Sequence, residues 1–366
     1  MKTITQLPRA RRVPAFFILV LTFVGVVTSH GAEDESALNP LPPQKRPILK
    51  KTYSSKPLPK EELTPWSHPP FRVGYCNVCH VSDNQDDPGK LRAPMPDLCF
   101  FCHKATQQMV GFQVPHKPAQ EHCGYCHNPH NSKYRMLLHA PTKALCGSCH
   151  LEIDKIVRQA PVDHAPAKRG ETCKNCHVPH GSHVERLLHK LPSDMCLVCH
   201  DTDGIVDNDG VALENIKRKI AVKPFHHEPI DKKNCSACHV AHGGENFRLL
   251  NKKYPHKFYE PYTKESYALC LDCHNMERSL TELTTTTLTD FRDGDKNLHA
   301  VHVSKPKKGR TCRSCHGEHA TDQLHLIREH VPFGKVNWQL DINYVKTKTG
   351  GRCERSCHEK AEYKNK

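Results

Sequence analysis

Apolar residues are concentrated in one run near the N-terminus and are otherwise scattered in short segments. Residues 13–27 are almost continuously apolar, whereas residues 33–67 are rich in proline and charge. Beyond His68 the apolar stretches are small, such as Leu187-Leu188, and the chain contains 28 prolines. Proline interrupts both helices and sheets. This pattern predicts a mostly irregular chain with short α-helices and little or no β-sheet.

The N-terminal segment, residues 1–32, has the order of a secretory signal peptide: a basic stretch, the apolar run and a group of small residues. The apolar run is short for a membrane span, which needs about 20 residues, and an uncleaved anchor is the alternative. Residues 33–67 have little apolar surface to bury and are predicted to form a proline-rich linker. No cysteine precedes Cys76, so the expected cleavage region offers no site for lipid attachment.

Cysteine and histidine follow a strict pattern through the rest of the chain. The motif C-x-x-C-H occurs nine times, and a tenth copy is longer by one residue, Cys353-Glu-Arg-Ser-Cys357-His358. This motif attaches c-type haem: both thiols add to the haem vinyl groups, and the adjacent histidine is the proximal iron ligand. The motifs use all 20 cysteines, which are Cys76, Cys79, Cys99, Cys102, Cys123, Cys126, Cys146, Cys149, Cys173, Cys176, Cys196, Cys199, Cys235, Cys238, Cys270, Cys273, Cys312, Cys315, Cys353 and Cys357. The proximal histidines are His80, His103, His127, His150, His177, His200, His239, His274, His316 and His358.

Zinc sites and disulfides also use paired cysteines. Neither explains why a histidine directly follows every second cysteine, whereas haem attachment requires it. For the tenth motif, a redox-active or disulfide-bonded pair is the alternative, because its spacing is rarer. The sequence therefore predicts ten covalently attached c-type haems, the tenth at Cys353 and Cys357.

The composition argues against ordinary globular domains. Aromatic residues make up only 7% of the 366 residues, and the hydrophobic share of 37% includes the 20 cysteines. A core of protein side chains alone would be thin, so we expect short helices and loops wrapped around a chain of haems. The formal charge of +14 falls when the basic leader is removed and the haem propionates are added. A nucleic-acid partner is therefore not expected.

The haem motifs form five paired repeats, at residues 68–103, 116–150, 164–200, 226–274 and 302–358. In the first repeat Asp83 stands where the others have an additional histidine. Insertions lengthen the later repeats, at residues 201–223 and 276–297. The acidic start of the first insertion is interpreted as a solvated loop, with calcium binding as the alternative, since the EF-hand spacing and its closing glutamate are missing.

Eighteen histidines of the mature chain remain for ten distal positions. The repeat pattern selects an upstream set, namely His68, His116, His164, His226 (with His227 as the alternative) and His302, and a C-H-x-x-H set, namely His130, His180, His242 and His319. The tenth distal ligand is expected among His139, His189, His256, His299 and His330. His127 and His130 lie on one side of a helical turn, whereas axial ligands approach an iron from opposite faces. His130 and its equivalents are therefore expected to bind a neighbouring haem.

The pattern H…C-x-x-C-H-x-x-H…L-L…C-x-x-C-H resembles the doubled-CxxCH family of multihaem cytochromes c. Ten motifs in a chain of this length also look like the decahaem cytochromes inserted in outer-membrane porins. The resemblance implies low-spin, low-potential haems with two histidine ligands. It also implies soluble periplasmic carriers and filament-forming cytochromes as relatives.

We therefore expect a non-enzymatic electron carrier of the bacterial envelope, exported to the periplasm or outer membrane and acting in extracellular electron transfer. The expected partners are other redox proteins, including a porin and an outer-surface cytochrome. One alternative is a multihaem reductase of a small oxyanion, which needs an iron with an open position. The other is a homopolymeric subunit of an extracellular cytochrome filament.

Overall fold

The computed structural model describes residues 64–366 except residues 171, 276–279, 286–287, 334–337 and 355–356. The predicted signal peptide and residues 33–63 of the predicted linker lie outside the described residues. All the described residues belong to one compact unit, Thr52–Lys366.

The helices of the described residues are short, and the longest has nine residues. Several begin with a proline in the first turn, where the missing N–H costs no hydrogen bond. No helix among residues 64–366, outside the gaps, is long and apolar enough to cross a membrane. The α-helices are α1 (Pro69–Arg72), α2 (Asp97–Phe100), α3 (Lys104–Val110), α4 (Lys117–Glu121), α5 (Thr142–Gly147), α6 (Leu151–Gln159), α7 (Ala165–Lys168), α8 (Pro192–Leu197), α9 (Ile216–Val222), α10 (Glu228–Asp231), α11 (Ala268–Leu271) and α12 (Leu298–Val303).

The strands form only small antiparallel sheets. They are β1 (Trp66–Ser67), β2 (Val114–Pro115), β3 (Asn131–Ser132), β4 (Gly181–Ser182), β5 (Phe225–His226), β6 (Arg292–Asp293), β7 (Lys296–Asn297), β8 (Ala320–Thr321), β9 (His330–Phe333), β10 (Trp338–Asp341), β11 (Tyr344–Thr347), β12 (Gly350–Cys353) and β13 (Ala361–Lys364). The largest sheet has three strands in the order β11-β12-β13. The prediction of a mostly irregular chain with short helices and little sheet is confirmed, with most of the sheet in the C-terminal region.

Pairs of very short strands connect each repeat to the next. β1 pairs with β3, β2 with β4 and β5 with β8, each by two residues. Between the third and fourth repeats a single bridge, Val162 to Gly244, takes the same place. In each case the segment around the upstream histidine of one repeat pairs with the segment that follows the C-H-x-x-H histidine of the next. Consecutive repeats are therefore joined by backbone hydrogen bonds.

Few apolar side chains are fully buried, as expected for a thin protein core. Ten hydrophobic residues among those described are buried, and six of them lie in residues 298–366. These six are Ala300, Val303, Ala320, Val331, Ile342 and Tyr363. Packing between protein side chains is thus concentrated in the C-terminal region.

Candidate haem-binding sites

We number the motifs from site 1 (Cys76 to His80) to site 10 (Cys353 to His358). The first motif of each repeat has its first cysteine in a short 3-10 helix, as in Cys76–Val78 and Cys123–Tyr125. The second motif begins in an α-helix in sites 2, 4, 6 and 8. In sites 1 to 9 the amide of the histidine donates to the carbonyl of the first cysteine, at 2.9–3.1 Å. This turn brings both thiols and the imidazole to one side of the backbone.

A second histidine lies opposite the proximal histidine in eight sites, with nearly parallel rings. The pairs and their centroid separations are His80–His130 (6.1 Å), His103–His68 (6.0 Å), His127–His180 (6.0 Å), His150–His116 (6.3 Å), His177–His242 (6.1 Å), His239–His319 (6.2 Å), His274–His227 (6.0 Å) and His316–His299 (6.4 Å). In the other two sites His200 is close to His164, and His358 is close to His302.

This separation is too large for direct stacking but suits an iron between the rings. An imidazole nitrogen binds a metal at about 2.0 Å and lies about 1.1 Å from its own ring centroid, so two ligands on opposite faces place their centroids about 6 Å apart. The observed values of 6.0–6.4 Å agree with this arrangement. Burial lowers the pKa of many of these imidazoles, that of His319 to about 4, and a neutral imidazole is the form that binds a metal.

Backbone carbonyls orient the proximal imidazoles. The Nδ1 atoms of five first-motif histidines lie 2.7–3.1 Å from a carbonyl nine residues further along, namely His80 to Gly89, His127 to Met136, His177 to Arg186, His239 to Arg248 and His316 to His325. Because a carbonyl only accepts, Nδ1 must carry the hydrogen. The lone pair is then on Nε2, and the ring is fixed for metal binding.

The residue that offers this carbonyl has left-handed backbone geometry in every repeat. It is glycine only in the first, where Gly89 has φ +71°. In the others φ lies between 50° and 60°, at Met136, Arg186, Arg248 and His325. A non-glycine residue pays about 1–2 kcal/mol for this conformation. The sequence showed this segment as a recurring Leu-Leu pair but did not show its role.

The distal histidines follow two rules. Each C-H-x-x-H histidine faces the first motif of the preceding repeat, so that His130 faces His80 and His180 faces His127. Each upstream histidine faces the second motif of its own repeat, so that His116 faces His150. Site 9 departs from the first rule. Its partner is His299, from α12.

The structure corrects one of the selected upstream histidines. His227, and not His226, lies opposite His274. His226 directs Nδ1 to Asp231 at 2.9 Å and Nε2 to the carbonyls of Ile220 and Lys223. Both ring nitrogens of His226 are therefore engaged with protein groups. His226 ends β5 and His227 is the extended N-cap residue of α10, and side chains of successive extended residues point to opposite sides.

The other candidates for the tenth distal position lie elsewhere. His139 and His189 each place Nε2 within 3.0 Å of a carbonyl inside a haem motif, those of Gly124 and Lys174. His256 stacks on Phe247, and His330 lies 2.8 Å from Asp341. His139 and His189 brace the motif loops rather than face a proximal histidine.

Cysteines of consecutive sites are neighbours throughout the chain. Within each repeat the second cysteines of the two motifs are close enough to interact electrostatically, as the pairs Cys79–Cys102, Cys126–Cys149, Cys176–Cys199, Cys238–Cys273 and Cys315–Cys357. Between repeats the first cysteines of consecutive sites are also close enough to interact electrostatically, as the pairs Cys99–Cys123, Cys146–Cys173, Cys196–Cys235 and Cys270–Cys312. The ten sites thus form one linear series in sequence order.

Site 10 has a different backbone from the other nine. Cys353 ends β12 and pairs with Tyr344 on one side and Ala361 on the other. The longer motif therefore begins at the end of a strand, whereas the motifs of the other nine sites begin in a helix. Behind it the hydroxyls of Tyr344 and Tyr363 are 2.8 Å apart. The motif with the extra residue, C-x-x-x-C-H, is thus the one whose first cysteine lies in a strand.

The acidic insertion holds its carboxylates in ion pairs with cationic side chains. Asp203 pairs with Arg218 at 2.7 Å, and Asp207 pairs with Arg248 at 3.1 Å. Within the described part of the chain, no group of three or more His, Cys, Asp or Glu side chains is arranged to hold a metal ion. The ion pairs favour the interpretation of a solvated loop over calcium binding.

The paired histidines are surrounded by space that a haem could occupy. A continuous cavity of about 2850 Å³ is lined by the thiols and histidines of sites 4 to 10. Tyr267 and Arg310 line this cavity. The Tyr267 hydroxyl and the Arg310 Nε atom are buried and have no hydrogen-bond partner among the described residues. Haem propionates are suitable acceptors for such donors. The thiols, paired imidazoles and polar donors therefore fit covalently bound haem.

Four segments of the chain match the family model described as the doubled CXXCH motif, at residues 68–108, 116–155, 164–204 and 227–279. They contain sites 1 to 8, two in each match. No curated protein shows significant similarity to the chain.

Proposed function

Because the chain belongs to the doubled CXXCH family of multihaem c-type cytochromes, we propose that it carries ten haems and conducts electrons along them. The observation that carries this proposal is the unbroken series of neighbouring cysteines from site 1 to site 10. Each haem is held at its edge by two of these cysteines, so adjacent cysteines bring adjacent porphyrins close together. Haem bound at each site would supply the one-electron redox chemistry that such conduction needs.

The paired histidines supply both axial ligands of each iron. The proximal ligands are those of the ten motifs, and the distal ligands are, from site 1 to site 10, His130, His68, His180, His116, His242, His164, His319, His227, His299 and His302. Two imidazoles favour a low-spin, low-potential iron that changes oxidation state without binding a substrate. This supports an electron carrier over an oxyanion reductase.

All ten distal positions receive a histidine from the same chain. A haem in this arrangement requires no ligand from a second molecule. The paired histidines therefore support a self-contained carrier over a filament subunit whose haems depend on contacts between copies.

The proposed setting is the bacterial envelope. Residues 1–32 have the features of a signal peptide, and c-type haem is attached outside the cytoplasm. We place the protein in the periplasm or at the outer membrane, where it passes electrons between redox proteins, including a porin-associated outer-surface cytochrome. In this role it resembles the decahaem components of extracellular electron-transfer conduits.

Three measurements test the proposal. The intact mass of the purified protein should exceed that of the polypeptide by ten haems, and the EPR spectrum of the oxidised protein should contain only low-spin signals. A strain lacking the protein should lose reduction or oxidation of an extracellular mineral or electrode. A high-spin haem that reduces a soluble oxyanion, together with normal extracellular electron transfer, would establish the reductase instead.

A further inference from the structure

Positive charge is concentrated at one end of the series of sites. Residues 298–366, which contain sites 9 and 10, have 14 lysines and arginines against 7 aspartates and glutamates. Residues 64–110, which contain sites 1 and 2, have four of each, and residues 111–297 have 25 against 23. Every haem brings the same two propionates, so the haems do not remove this difference between the ends.

Several of these lysines are exposed and have no acidic partner. Lys305, Lys307, Lys308, Lys348 and Lys360 are all exposed. None of the five forms an ion pair with another described residue, whereas Lys346 pairs with Asp290 at 3.6 Å. We call these five residues the lysine surface. Their charges are available to a partner.

The lysine surface lies next to site 10. Lys305, Lys307 and Lys308 follow α12, which carries the distal histidine His302. Burial lowers the pKa of His302, and the nearby charges of Arg310 and Lys305 lower it further.

Of the other two lysines, Lys360 lies beside the proximal side of the same site, because Ala361, the residue after it, pairs with Cys353. Lys348 lies in the turn at the far end of the same strands. Lys348 lies between β11 and β12, and Lys360 directly precedes β13, in the sheet that holds Cys353. The proximal histidine, His358, is itself exposed. A haem at site 10 would therefore lie close to the surface, with Lys305 near its distal histidine and Lys360 near its proximal side.

We propose that the lysine surface docks an acidic redox protein, which exchanges electrons with the haem at site 10. The proposal rests on the proposed function, because it requires a haem at this site. Complementary charges raise the rate of encounter and orient two redox proteins without a large buried interface. Small transient interfaces are characteristic of electron-transfer partners. Residues 64–110, which contain sites 1 and 2, carry no net charge, so the docking of an acidic partner is assigned to the end at site 10.

The test uses a photoreduced acidic [2Fe–2S] ferredoxin as the probe and stopped-flow absorbance as the readout. The ferredoxin cluster loses one electron, and one ferric haem becomes ferrous. The variant combines Lys305→Glu, Lys307→Glu and Lys308→Glu. The control combines Lys90→Glu, Lys104→Glu and Lys133→Glu, which make the same charge change at exposed lysines of the first two repeats. A second variant with glutamine at residues 305, 307 and 308 is used if the glutamate variant does not fold.

At low salt we expect the rate of haem reduction to fall at least about tenfold in the variant, and this rate should depend less on ionic strength. The control should retain the original rate. Equal effects in variant and control would overturn the docking proposal. So would an unchanged rate combined with lost binding to vesicles containing anionic lipid, which would assign the lysines to a membrane surface. Haem content and reduction by a neutral small mediator are measured on each protein. A protein without haem, or one that the mediator cannot reduce, would refute the proposed function itself. If haem content and mediator reduction are normal, a slower reaction with the ferredoxin reports on docking alone.

Discussion

His130 lies opposite His80, with ring centroids 6.1 Å apart, although the two histidines belong to different repeats. His130 is only three residues from His127, which instead faces His180 of the third repeat. The same exchange continues to His239 and His319. Each repeat thus completes a site of the preceding one, and strands such as β1 and β3 hold the two repeats in register.

The exchange predicts the effect of removing one C-H-x-x-H histidine. In His180→Ala, the haem attached at Cys123 and Cys126, and not the one attached at Cys173 and Cys176, should lose its distal ligand. One haem in ten should become high-spin in the EPR spectrum.

The matched control is His189→Ala, in the same repeat. His189 bonds the carbonyl of Lys174 and faces no proximal histidine, so all ten haems should stay low-spin. A high-spin haem in the control, or a wholly low-spin His180→Ala protein without a replacement ligand, contradicts the assignment.

The partner of site 9 allows a second prediction. The distal histidine there is His299 of α12, which lies opposite His316. His299→Ala should therefore convert one haem to high spin. His330→Ala, which removes a histidine bonded to Asp341, should not. If only His330→Ala changes the spin state, the assignment of site 9 is wrong.

The tenth motif predicts a mass change. In the double variant Cys353→Ser and Cys357→Ser, the intact mass should fall by about one haem, because these thiols anchor only site 10. Cys353 lies in a three-stranded sheet that is held together by backbone hydrogen bonds, which do not depend on its thiol. The remaining nine haems should therefore be retained. An unchanged haem content would show that this pair does not attach haem.

A buried charge near sites 8 and 9 predicts a shift in redox potential. Glu318 accepts hydrogen bonds from Tyr254 and Arg328 and lies 3.9 Å from Arg313. Burial alone would raise its pKa, but Arg328 and Tyr254 lower it, so the carboxylate is charged. Its charge interacts with Cys270 and Cys312. The second, third and fourth repeats have proline or alanine at this position, and the first has Ser82, so the carboxylate occurs only in the fifth repeat.

A nearby negative charge stabilises ferric iron. Glu318→Gln should therefore raise the midpoint potential of the haems at these sites while keeping the bond from Tyr254. Spectroelectrochemical titration measures the change, and the exposed Glu245→Gln serves as control. Identical titrations for Glu318→Gln and the original protein would show that Glu318 does not set these potentials.

The connection between the second and third repeats predicts a loss of stability. A Cβ atom added at Gly181, in β4, would lie 2.0 Å from the carbonyl oxygen of Met109. Gly181→Ala should lower the free energy of unfolding by about 1–3 kcal/mol, as for overpacked positions. At Gly111 the nearest atom is 3.4 Å away, so Gly111→Ala should change stability by less than about 0.5 kcal/mol. Guanidinium unfolding followed by circular dichroism compares the two.

Residue identity alone was sufficient for the chemistry of attachment. Attachment through two thioethers needs two cysteines close together in the sequence, and the proximal histidine follows directly, so both could be read from local motifs. The scarcity of apolar residues likewise indicated short elements and a thin core. The spacing of His127 and His130 was enough to infer that the second histidine serves another haem.

Which haem receives each distal histidine was decided by the tertiary structure. The choice of His227 over His226 depends on which of the two adjacent side chains lies opposite His274, and the pairing of His299 with His316 depends on where α12 lies. These contacts join residues that no local spacing relates. The linear order of the ten sites arises in the same way, from backbone pairing between repeats, because a motif specifies its own turn but not the neighbour against which that turn packs.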